Sequence, residues 1–492
     1  MNRADWESRV ATLELPSAAY VGGAQVETAA AETFENFSPT TGDVLNQVAS
    51  ADAADVERAV AVARASFDAG DWSHSAPSDR KKVLLRLAAL IRDNADELAL
   101  LECLDMGKPI SDALAVDVPG AAGVWQWYAE AIDKIYDEVA PTGRGDLALV
   151  RREPLGVVGA VVPWNFPLDM AAWKCAPALA AGNSVVLKPA EQSPLSALRL
   201  AELATEAGVP DGVFNVLPGF GETAGQALGR HGDVDCIAFT GSTEVGKYFL
   251  SYAAESNAKQ VWLELGGKSP NLVFADTASL DDAAAKAAFG IFFNQGEVCS
   301  ANSRLLVERG VKDELLAKLV EQAEAMAPGH PLDPDTAMGA LVTREHTDRV
   351  MEFVESGRRS ARLVTGGERL ALSSDCYVTP TIFDEVSNDQ EIARDEIFGP
   401  VLSVMAFDDE SEAVQIANDT RFGLAASVWT SDLSRALRVS EQLTAGTVSV
   451  NTVDALSPMT PFGGFKQSGS GRDLSLHSFD KYTALKTTWI CY

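Results

Sequence analysis

The sequence predicts an α/β protein with a doubly wound parallel sheet, a second α/β unit and a small β unit. Short apolar runs of strand length alternate with longer runs of helical periodicity from residue 157 to residue 264, which is typical of a parallel sheet with helices on both faces. The same alternation resumes after Lys268, while residues 141–154 are predicted to form an exposed hairpin and residues 484–490 a final strand. A chain of 492 residues is also too long for one hydrophobic core, so two or three domains are expected.

The amino-terminal part of the chain is predicted to be helical after a short β region. Residues 1–50 alternate short β-like pieces with turns, and residues 52–134 carry apolar residues at spacings of three and four. These apolar stripes are interpreted as the core-facing sides of helices. Residues 141–154 interrupt the helical pattern as an exposed hairpin with little to bury by itself, which we interpret as an assembly arm.

The elements of the two α/β units follow from the same periodicities. In the first unit, strands are predicted at 157–162, 184–187, 213–216, 236–239 and 260–264, with helices beginning near Met170, Pro194, Glu222 and Ser242. In the second unit, strands are predicted at 271–274, 304–307, 401–405 and 447–450, with helices beginning near Ser279, Val311 and Arg344. Ligands of such a sheet are expected at the carboxyl ends of its strands.

The composition excludes one class of partner and favours another. The chain has 70 acidic and 40 basic residues and a formal net charge of -30. Such a surface lacks the cations that neutralise phosphates, so a nucleic-acid partner is not expected. The same negative field favours cationic small molecules.

The sequence shows no sign of membrane insertion, secretion or metal binding. Residues 1–10 lack the apolar core of a signal peptide, and no apolar run reaches the length of a membrane span, so a cytoplasmic protein without a membrane partner is expected. The six cysteines have no metal-ligand spacing and are too sparse for a disulfide framework. Reduced thiols and no metal are therefore expected.

A glycine turn between a predicted strand and a predicted helix is a candidate anion site. In Phe239-Thr-Gly-Ser-Thr-Glu-Val-Gly246, the turn with Gly241 and Ser242 leads into a helix whose free amide groups would suit a pyrophosphate. The dinucleotide fingerprint G-x-G-x-x-G is absent, and the nearest match, Gly219-Phe-Gly221 followed by Gly225, has one residue too many. The alternative is that Gly241 only turns the chain.

Polar residues also follow the predicted strand at 184–187. A carboxylate at Glu191, close to Lys188, would accept ribose hydroxyls and repel a 2′-phosphate, which favours NAD over NADP. The alternative is that both side chains belong to a solvated strand end.

Three further residues together describe one reaction. Cys299 is a candidate nucleophile, although a small buried thiol without function is the commoner role of a cysteine. Glu264 ends a strand in a glycine-lined, apolar setting where the pKa of a carboxyl group rises and it can act as a base. Asn165, in Pro163-Trp-Asn-Phe-Pro167, offers a rigidly held amide donor for an oxyanion. With a bound dinucleotide, these groups suit thiol attack on an aldehyde, hydride transfer to NAD and hydrolysis of a thioester.

The chain resembles the NAD(P)-dependent aldehyde dehydrogenase superfamily over essentially its whole length. Leu263-Glu-Leu-Gly-Gly-Lys268 and Phe293-Asn-Gln-Gly-Glu-Val-Cys299 match the two signature segments of that superfamily. Further matches are Pro163-Trp-Asn-Phe-Pro167, Glu396-Ile-Phe-Gly-Pro400 and Pro461-Phe-Gly-Gly464. So many matches in register are highly specific.

The resemblance implies a role for each residue of the site. Cys299 is the implied nucleophile, Glu264 the base for the deacylating water, Asn165 with the Cys299 amide the oxyanion hole, and Lys174 a proton relay. The implied cofactor-binding residues are Val162, Trp164, Lys188, Glu191, Gly221, Phe239, Gly241, Ser242, Gly246, Leu265, Glu396 and Phe398. Among these, Lys188 and Glu191 would hold the adenosine ribose, and Glu396 the nicotinamide ribose.

The resemblance also implies three domains and an oligomer. The expected boundaries are an NAD-binding domain at 1–134 and 155–266, a catalytic domain at 267–468, and an oligomerisation domain at 135–154 and 469–492. A homodimer or homotetramer is expected.

Within the superfamily, the chain closely resembles the γ-glutamyl-γ-aminobutyraldehyde and 4-guanidinobutyraldehyde dehydrogenases of polyamine and arginine catabolism. Segments that carry this likeness are Asp105-Met-Gly-Lys-Pro-Ile110, Tyr128-Ala-Glu-Ala-Ile-Asp-Lys134, Gly329-His-Pro-Leu-Asp-Pro334, Trp429-Thr-Ser-Asp-Leu-Ser-Arg435 and the tail 481–490. Two departures stand out. Those relatives usually carry two apolar residues after Asn-Phe-Pro, where this chain has Leu168-Asp169. Their loop before Pro-Phe-Gly-Gly typically reads Gly-Asp-Met-Thr, where this chain has Ser457-Pro-Met-Thr460 and therefore lacks the acidic group.

The substrate is expected to be an aldehyde with a cationic or polar far end. Candidate substrate residues are Asp117, Phe166, Asp169, Trp173, Phe293 and Phe462. Carboxylates and aromatic faces both attract cations, although a solvated helix face and ordinary packing would place the same residues there.

Four alternatives remain open at the level of sequence. They are a broad-specificity aliphatic or aromatic aldehyde dehydrogenase, an acylating dehydrogenase that releases a thioester to coenzyme A, a thiol hydrolase, and a non-catalytic structural protein on the same scaffold. Glu264 favours water over coenzyme A as the final acceptor.

Overall fold

The computed structural model describes residues 1–492, and its first main sheet is the predicted parallel one. This sheet has seven strands, in the order Gln260–Glu264, Cys236–Thr240, Val157–Val161, Ser184–Lys188, Phe214–Val216, Ala19–Val21 and Ala24–Val26. The first five pair in parallel and the last two add antiparallel strands at one edge. The central strands are buried on both faces, which explains their uninterrupted apolar sequences.

Helices cover both faces of the first sheet and supply most of its core. The longer ones are Ala53–Ala69, Pro77–Asp93, Ala95–Met106, Val118–Ala131, Pro167–Ala181, Leu195–Ala207 and Thr243–Ala254. Shorter pieces are Ile110–Asp112, Ala113–Asp117, Gly221–Gly225 and Gln226–Arg230. Two of the short pieces, Ala113–Asp117 and Gly221–Gly225, are π-helical turns. Left-handed glycines such as Gly182 and Gly208 end the helices that return the chain to the sheet.

The second main sheet also has seven strands. Their order is Arg362–Thr365, Thr381–Asp384, Val401–Phe407, Arg304–Glu308, Pro270–Val273, Ala425–Trp429 and Thr447–Val450. All neighbours are parallel except the first pair. The surrounding helices are Leu280–Phe292, Lys312–Ala325, Arg344–Ser360, Glu391–Arg394, Glu410–Asn418 and Leu433–Gln442. The four predicted strands of this unit are present, and the other three were missed.

The third sheet is the predicted hairpin completed by the carboxyl-terminal strand. Asp146–Pro154 lies between Glu138–Ala140 and Thr483–Cys491, and both pairs are antiparallel. The residues just before the last strand behave differently, because Leu474, Phe479 and Tyr482 pack into the core of the first unit. The separate β unit therefore takes only the strand itself from the carboxyl-terminal region.

The amino-terminal region departs from the predicted β pattern at its start. Residues Arg3–Val10 form a helix that begins with a capping box between Asn2 and Asp5 and buries only Trp6. The expected β pieces follow as the antiparallel pairs Ala19–Val21 with Ala24–Val26 and Thr33–Phe37 with Val44–Ala49. A further short pair joins Arg369–Leu370 to Tyr377–Val378. The structure contains no helix that combines the length and the apolarity needed to cross a membrane.

Candidate active site

A cavity of about 270 Å³ opens where the carboxyl ends of the first sheet meet loops of the second unit. This is the position at which a doubly wound sheet binds its ligands. Of the residues singled out from the sequence, those lining the cavity are Trp164, Asn165, Phe166, Asp169, Trp173, Gly241, Ser242, Glu264, Leu265, Phe293, Cys299, Glu396, Phe398 and Phe462. The fold thus gathers residues that lie far apart in the chain.

Cys299 lies half-buried in this cavity, just after a strained turn. Asn294 and Gln295 both have left-handed backbone conformations, with φ of 49° and 58°, and strain of this kind is typical of functional sites. Burial raises the pKa of the Cys299 thiol, and the carboxylates of Asp454, Glu396 and Glu264 raise it further. The protein alone therefore holds the thiol in its neutral form.

Glu264 is a buried carboxyl group without a hydrogen-bond partner on either oxygen. It ends the strand Gln260–Glu264 and is 3% exposed. The loop that follows Pro461 allows this burial, because a Cβ on Gly463 or Gly471 would come within 2.8 Å of Glu264 Oε1. Burial, and next the charge of Asp473, raise the pKa of Glu264 well above its usual value. The ionised form of a carboxyl group with a raised pKa is a stronger base than an ordinary carboxylate.

Asn165 is held from three sides. Its Nδ2 donates to the main-chain oxygen of Glu297 at 2.9 Å. Its own main-chain oxygen accepts from Lys108 Nζ at 3.1 Å and from Asn294 Nδ2 at 3.2 Å. An amide nitrogen carries two hydrogens, so one N–H of the side chain stays free to face the cavity. The main-chain N–H of Cys299 also makes no hydrogen bond within the chain.

Lys174 does not line the cavity but lies behind it. It is 1% exposed and ion-paired with Asp473, which also pairs with Lys481 and does line the cavity. The two ammonium groups oppose the effect of burial on the pKa of Glu264. Asp473 and the two ammonium groups therefore form a buried charged cluster next to the cavity.

The turn predicted to bind an anion is open to the same cavity. Ser242 caps the helix Thr243–Ala254, with its Oγ accepting from Val245 N at 3.2 Å. Gly241 has no room for a side chain, because a Cβ there would lie 2.5 Å from the ring of Phe239. Gly246 is packed in the same way against Leu265, at 2.7 Å. The helix amino terminus is thus exposed to a ligand in the cavity.

Some of the predicted cofactor-binding residues lie outside the cavity lining, among them Val162, Lys188, Glu191 and Gly221. Lys188 and Glu191 form an ion pair of 2.9 Å at the end of their strand, and Val162 N donates to Lys188 O at 3.2 Å. Gly221 starts a π-helical turn, and a Cβ at this position would meet no atom within 4 Å. The ends of two neighbouring strands therefore bring Val162, Lys188 and Glu191 together.

Glu396 lines the cavity, and its carboxyl group packs against Gly266 and Gly267. Its Oε1 accepts from Gly267 N at 3.0 Å, and a Cβ on Gly266 would lie 1.9 Å from its Oε2. Burial raises the pKa of Glu396 to about 7. Phe398 has a left-handed backbone, with φ of 59°, and its ring meets Trp164 edge-on at 5.2 Å.

The opposite part of the cavity is aromatic and contains a carboxyl group. The ring of Trp173 meets that of Phe462 edge-on at 5.3 Å, and Phe166 stacks with Phe293 at 6.2 Å. Asp169, in the first turn of the helix Pro167–Ala181, has no hydrogen-bond partner on Oδ1. The pKa of Asp169 is raised to about 7, chiefly by burial and to a smaller extent by the charge of Asp117.

The prediction that Asp117 contacts the substrate is wrong. Its side chain is fully buried and ion-paired with Lys108, and it is absent from the cavity lining. Its neighbour Val116 lines the cavity instead. Successive positions of a helical turn point in different directions, and in this π-helical turn the apolar residue faces the cavity.

Several residues of the cavity were not singled out from the sequence. They are Val116, Met170, Ser300, His346, Arg349, Asp454, Leu456 and Asp473. His346 Nε2 lies 2.7 Å from Phe398 O, and burial lowers the pKa of this ring to about 4. Asp454 supplies a carboxyl group just before the loop 457–460, which lacks the acidic residue found there in the similar dehydrogenases. No local pattern marks these residues, because tertiary packing alone brings them to the cavity.

Comparison with known proteins identifies the scaffold that carries this site. The family model described as the aldehyde dehydrogenase family matches residues 26–488. The chain belongs to the aldehyde dehydrogenase family. It is 53% identical over 485 residues to the NADP/NAD-dependent aldehyde dehydrogenase PuuC of Escherichia coli (strain K12), covering 99% of this chain and 98% of that protein.

Solved structures of family members superpose over the whole chain. One is the indole-3-acetaldehyde dehydrogenase AldA of P. syringae in complex with NAD+ and IAA, with 56% identity, a TM-score of 0.99 and 100% of both chains covered. Another is the γ-glutamyl-γ-aminobutyraldehyde dehydrogenase of Burkholderia cenocepacia J2315, with 57% identity, a TM-score of 0.99 and the same coverage. The predicted fold class, the aldehyde-oxidising activity and NAD as cofactor are thereby confirmed.

Proposed function

We propose that Cys299, Glu264 and Asn165 carry out the NAD-dependent oxidation of an aldehyde with a cationic or polar far end to the carboxylic acid. The observation that carries this proposal is that one cavity is lined by all three groups and by the carboxyl group of Asp169, whose Oδ1 has no hydrogen-bond partner. Reaction chemistry and substrate recognition thereby share one enclosed space.

Attack on the aldehyde requires a thiolate and a place for the oxyanion. The Cys299 thiol must first lose its proton, to water in the cavity, and so become the nucleophilic thiolate. Attack of the sulfur on the carbonyl carbon gives a thiohemiacetal. The free N–H of Asn165 and the main-chain N–H of Cys299 would donate to the oxygen on which negative charge develops.

The part of the cavity lined by Ser242 and Glu396 has residues that suit NAD. The Ser242-capped helix offers free amide groups to a pyrophosphate, and Glu396, enclosed by Gly266 and Gly267, offers a carboxylate to ribose hydroxyls. Lys188 and Glu191 would hold the adenosine ribose. When bound, NAD supplies the hydride acceptor, and the acyl group then stays on Cys299 as a thioester.

Hydrolysis of the thioester requires a base for water. Glu264 has no competing hydrogen bond, so both its oxygens are available to a water molecule in the cavity. Asp473 has a lowered pKa because it is ion-paired with Lys174 and Lys481, so it stays ionised, and the proton that Glu264 accepts is released to water in the cavity. The free acid, rather than an ester of coenzyme A, is the expected product.

The substrate class follows from the walls around Asp169. An ionised Asp169 attracts an ammonium or guanidinium group, and aromatic faces add about 0.5–2 kcal/mol for a cation that contacts them. The relatives include proteins named for γ-glutamyl-γ-aminobutyraldehyde and aminoacetaldehyde, which supports an ω-amino-, guanidino- or γ-glutamylamino-aldehyde of polyamine or arginine catabolism.

A second candidate is an aromatic aldehyde. The rings of Trp173, Phe462, Phe166 and Phe293 form an apolar part of the cavity, and one of the similar structures is an indole-3-acetaldehyde dehydrogenase. A flat ring would stack between these side chains without using Asp169.

The test compares kcat/KM for 4-guanidinobutanal, hexanal and phenylacetaldehyde in the wild type and in Asp169→Leu. We expect the preference for the guanidino aldehyde over hexanal to fall at least tenfold in the variant, with phenylacetaldehyde little changed. An unchanged preference would remove Asp169 from substrate recognition. Cys299→Ala serves as the control for chemistry and should form no NADH with any aldehyde.

We further propose that the three sheets correspond to the NAD-binding, catalytic and oligomerisation domains. The strand Thr483–Cys491 has one neighbour and an open edge, and it exposes Leu485, Trp489 and Ile490. Such an edge supports assembly into a homodimer or homotetramer. All six cysteines are free, which suits a reducing compartment such as the cytoplasm.

A further inference from the structure

Lys108 is a fully buried lysine next to the active site that the reaction as described does not use. It lies between the helices Ala95–Met106 and Ile110–Asp112 and has no exposed surface. Its ammonium group is ion-paired with Asp117 and donates to the main-chain oxygen of Asn165 at 3.1 Å. The nitrogen also lies 4.3 Å from the centre of the Phe166 ring.

Burying this ammonium group is unfavourable unless its partners are well placed. An isolated buried ion costs several kcal/mol, so the position must be fixed by its counterions. Glu102 approaches to 3.9 Å, and burial raises the pKa of this carboxyl group to about 8. Asp117, in direct hydrogen-bond contact, is therefore the principal counterion, and it anchors the ammonium group that also holds Asn165.

The same cluster fixes both ends of the segment that follows Asn165. Lys108 and Asn294 hold the main-chain oxygen of Asn165, and Glu102 Oε1 accepts from Leu168 N at 3.1 Å. Only Phe166 and Pro167 lie between these two anchored residues. The freedom of this segment to move relative to Cys299 is therefore small.

We propose that Lys108 is a positioning residue for the oxyanion donor. Its hydrogen bond to the Asn165 carbonyl sets the peptide plane, and the peptide plane sets the direction of the free side-chain N–H. This inference rests on the proposed role of Asn165. It predicts that loss of Lys108 slows the capture of the aldehyde while the binding of NAD is retained.

The test measures the rate of the first NADH turnover after mixing with aldehyde, together with the Kd for NAD. In Lys108→Met, we expect the first-turnover rate to fall about 10- to 100-fold with the Kd for NAD within twofold of wild type. Removing one oxyanion donor lowers a catalytic rate by about 10²- to 10³-fold, so the first-turnover rate of Asn165→Ala should fall at least as far as that of Lys108→Met. The double variant Lys108→Met/Asn165→Ala should be no slower than Asn165→Ala alone.

Additive losses in the double variant would overturn the inference, because residues that act through one another are not additive. Asn165→Ala with an unchanged first turnover would overturn the proposed role of Asn165 and this inference together. An unchanged Lys108→Met with a slow Asn165→Ala would overturn this inference alone.

Two variants separate positioning from general damage to the fold. Lys108→Met/Asp117→Asn removes the unpaired carboxylate that the single change leaves behind, and it should fold while retaining the slow first turnover. Recovery of the wild-type rate in this variant would contradict the inference.

Lys259→Met is the matched control, because Lys259 is also buried and donates to a main-chain oxygen, that of Gly229, at 2.7 Å. It should leave the first turnover unchanged, and an equal loss there would assign the effect to stability.

Discussion

Ser300 Oγ donates a hydrogen bond of 2.7 Å to Asp454 Oδ1, one residue after the proposed nucleophile. Asp454 has a left-handed backbone, with φ of 45°, and burial raises the pKa of its carboxyl group. After burial itself, the charge of Asp454 is the largest of the effects that raise the pKa of Cys299. The loop that carries Asp454 therefore restrains the reactivity of the thiol before substrate binds.

Replacing Asp454 by asparagine should make Cys299 more reactive. The asparagine side chain would keep an oxygen for Ser300 but lose the negative charge, so the pKa of Cys299 falls and more thiolate is present at a given pH. One pKa unit is tenfold in thiolate, and we expect alkylation by iodoacetamide at pH 8 to be about 3- to 10-fold faster. Mass spectrometry of the Cys299 peptide measures it, in a Cys491→Ser background because Cys491 is exposed.

The matched control for this prediction is Asp276→Asn. Asp276 also accepts from a hydroxyl, that of Thr430 at 2.9 Å, but it lies outside the cavity. The control should alkylate at the wild-type rate. Equal rates in Asp454→Asn and the control would show that Asp454 does not govern the thiol.

Replacing Glu264 by glutamine should separate the two halves of the reaction. The glutamine side chain has nearly the same shape but cannot take a proton from water, so the thioester forms and then persists. We expect a rapid burst of about one NADH per subunit, followed by steady turnover at least 100-fold below wild type. Stopped-flow absorbance measures both phases, and intact-protein mass spectrometry should show the acyl adduct. A slow burst without an adduct would place Glu264 in the attack step instead.

The fold could be predicted from the sequence where burial leaves a simple pattern. Strands such as Val157–Val161 are buried on both faces and read as continuous apolar runs between glycine turns. Thr381–Asp384 was not predicted because only its two central residues are apolar, with a polar residue at each end. The helix Arg3–Val10 was missed because it is polar and buries a single residue, although its capping box is visible in the sequence.

The site could be predicted where a motif and its chemistry lie in one segment. Cys299, Glu264 and Asn165 each stand in a short segment with its own glycines or prolines, and the structure gathers them in one cavity. His346, Arg349 and Asp454 lie on elements of the second unit, and only tertiary packing brings them there. Asp117 was misplaced because the sequence does not reveal that a π-helical turn directs Val116, rather than Asp117, to the cavity.

Adding a methyl group at Gly266 should weaken NAD binding through Glu396. The new Cβ would lie 1.9 Å from Glu396 Oε2, so the carboxylate must leave the position in which Gly267 N holds it. We expect the KM for NAD to rise at least tenfold in Gly266→Ala. The double variant Gly266→Ala/Glu396→Ala should have nearly the same KM for NAD as Glu396→Ala alone, because both changes act through the Glu396 carboxylate. Steady-state kinetics with NAD varied at saturating aldehyde measures this.

Gly123→Ala is the control for the added methyl group. Gly123 lies in the helix Val118–Ala131 and has no atom within 4 Å of a built Cβ. Alanine there should leave the KM for NAD unchanged and raise stability slightly, by about 0.5–1 kcal/mol. A Gly266→Ala enzyme as active as this control would remove Glu396 from cofactor binding.

The preference for a cationic aldehyde should increase with pH around neutrality. The pKa of Asp169 is raised to about 7, chiefly by burial, so the group is mostly neutral at pH 6 and mostly ionised at pH 8. A guanidinium group keeps its charge throughout this range. Glu396, whose pKa is also about 7, is the proposed ligand of the cofactor ribose, so Asp169 is the titrating carboxyl group at the proposed substrate end of the cavity. We expect the ratio of kcat/KM for 4-guanidinobutanal to that for hexanal to rise about 3- to 10-fold from pH 6 to pH 8. The ratio cancels the titration of Cys299 and Glu264, which act on both aldehydes. In Asp169→Asn the ratio should stay low and flat across the same range, and a ratio that still rises in this variant would show that another group recognises the cation.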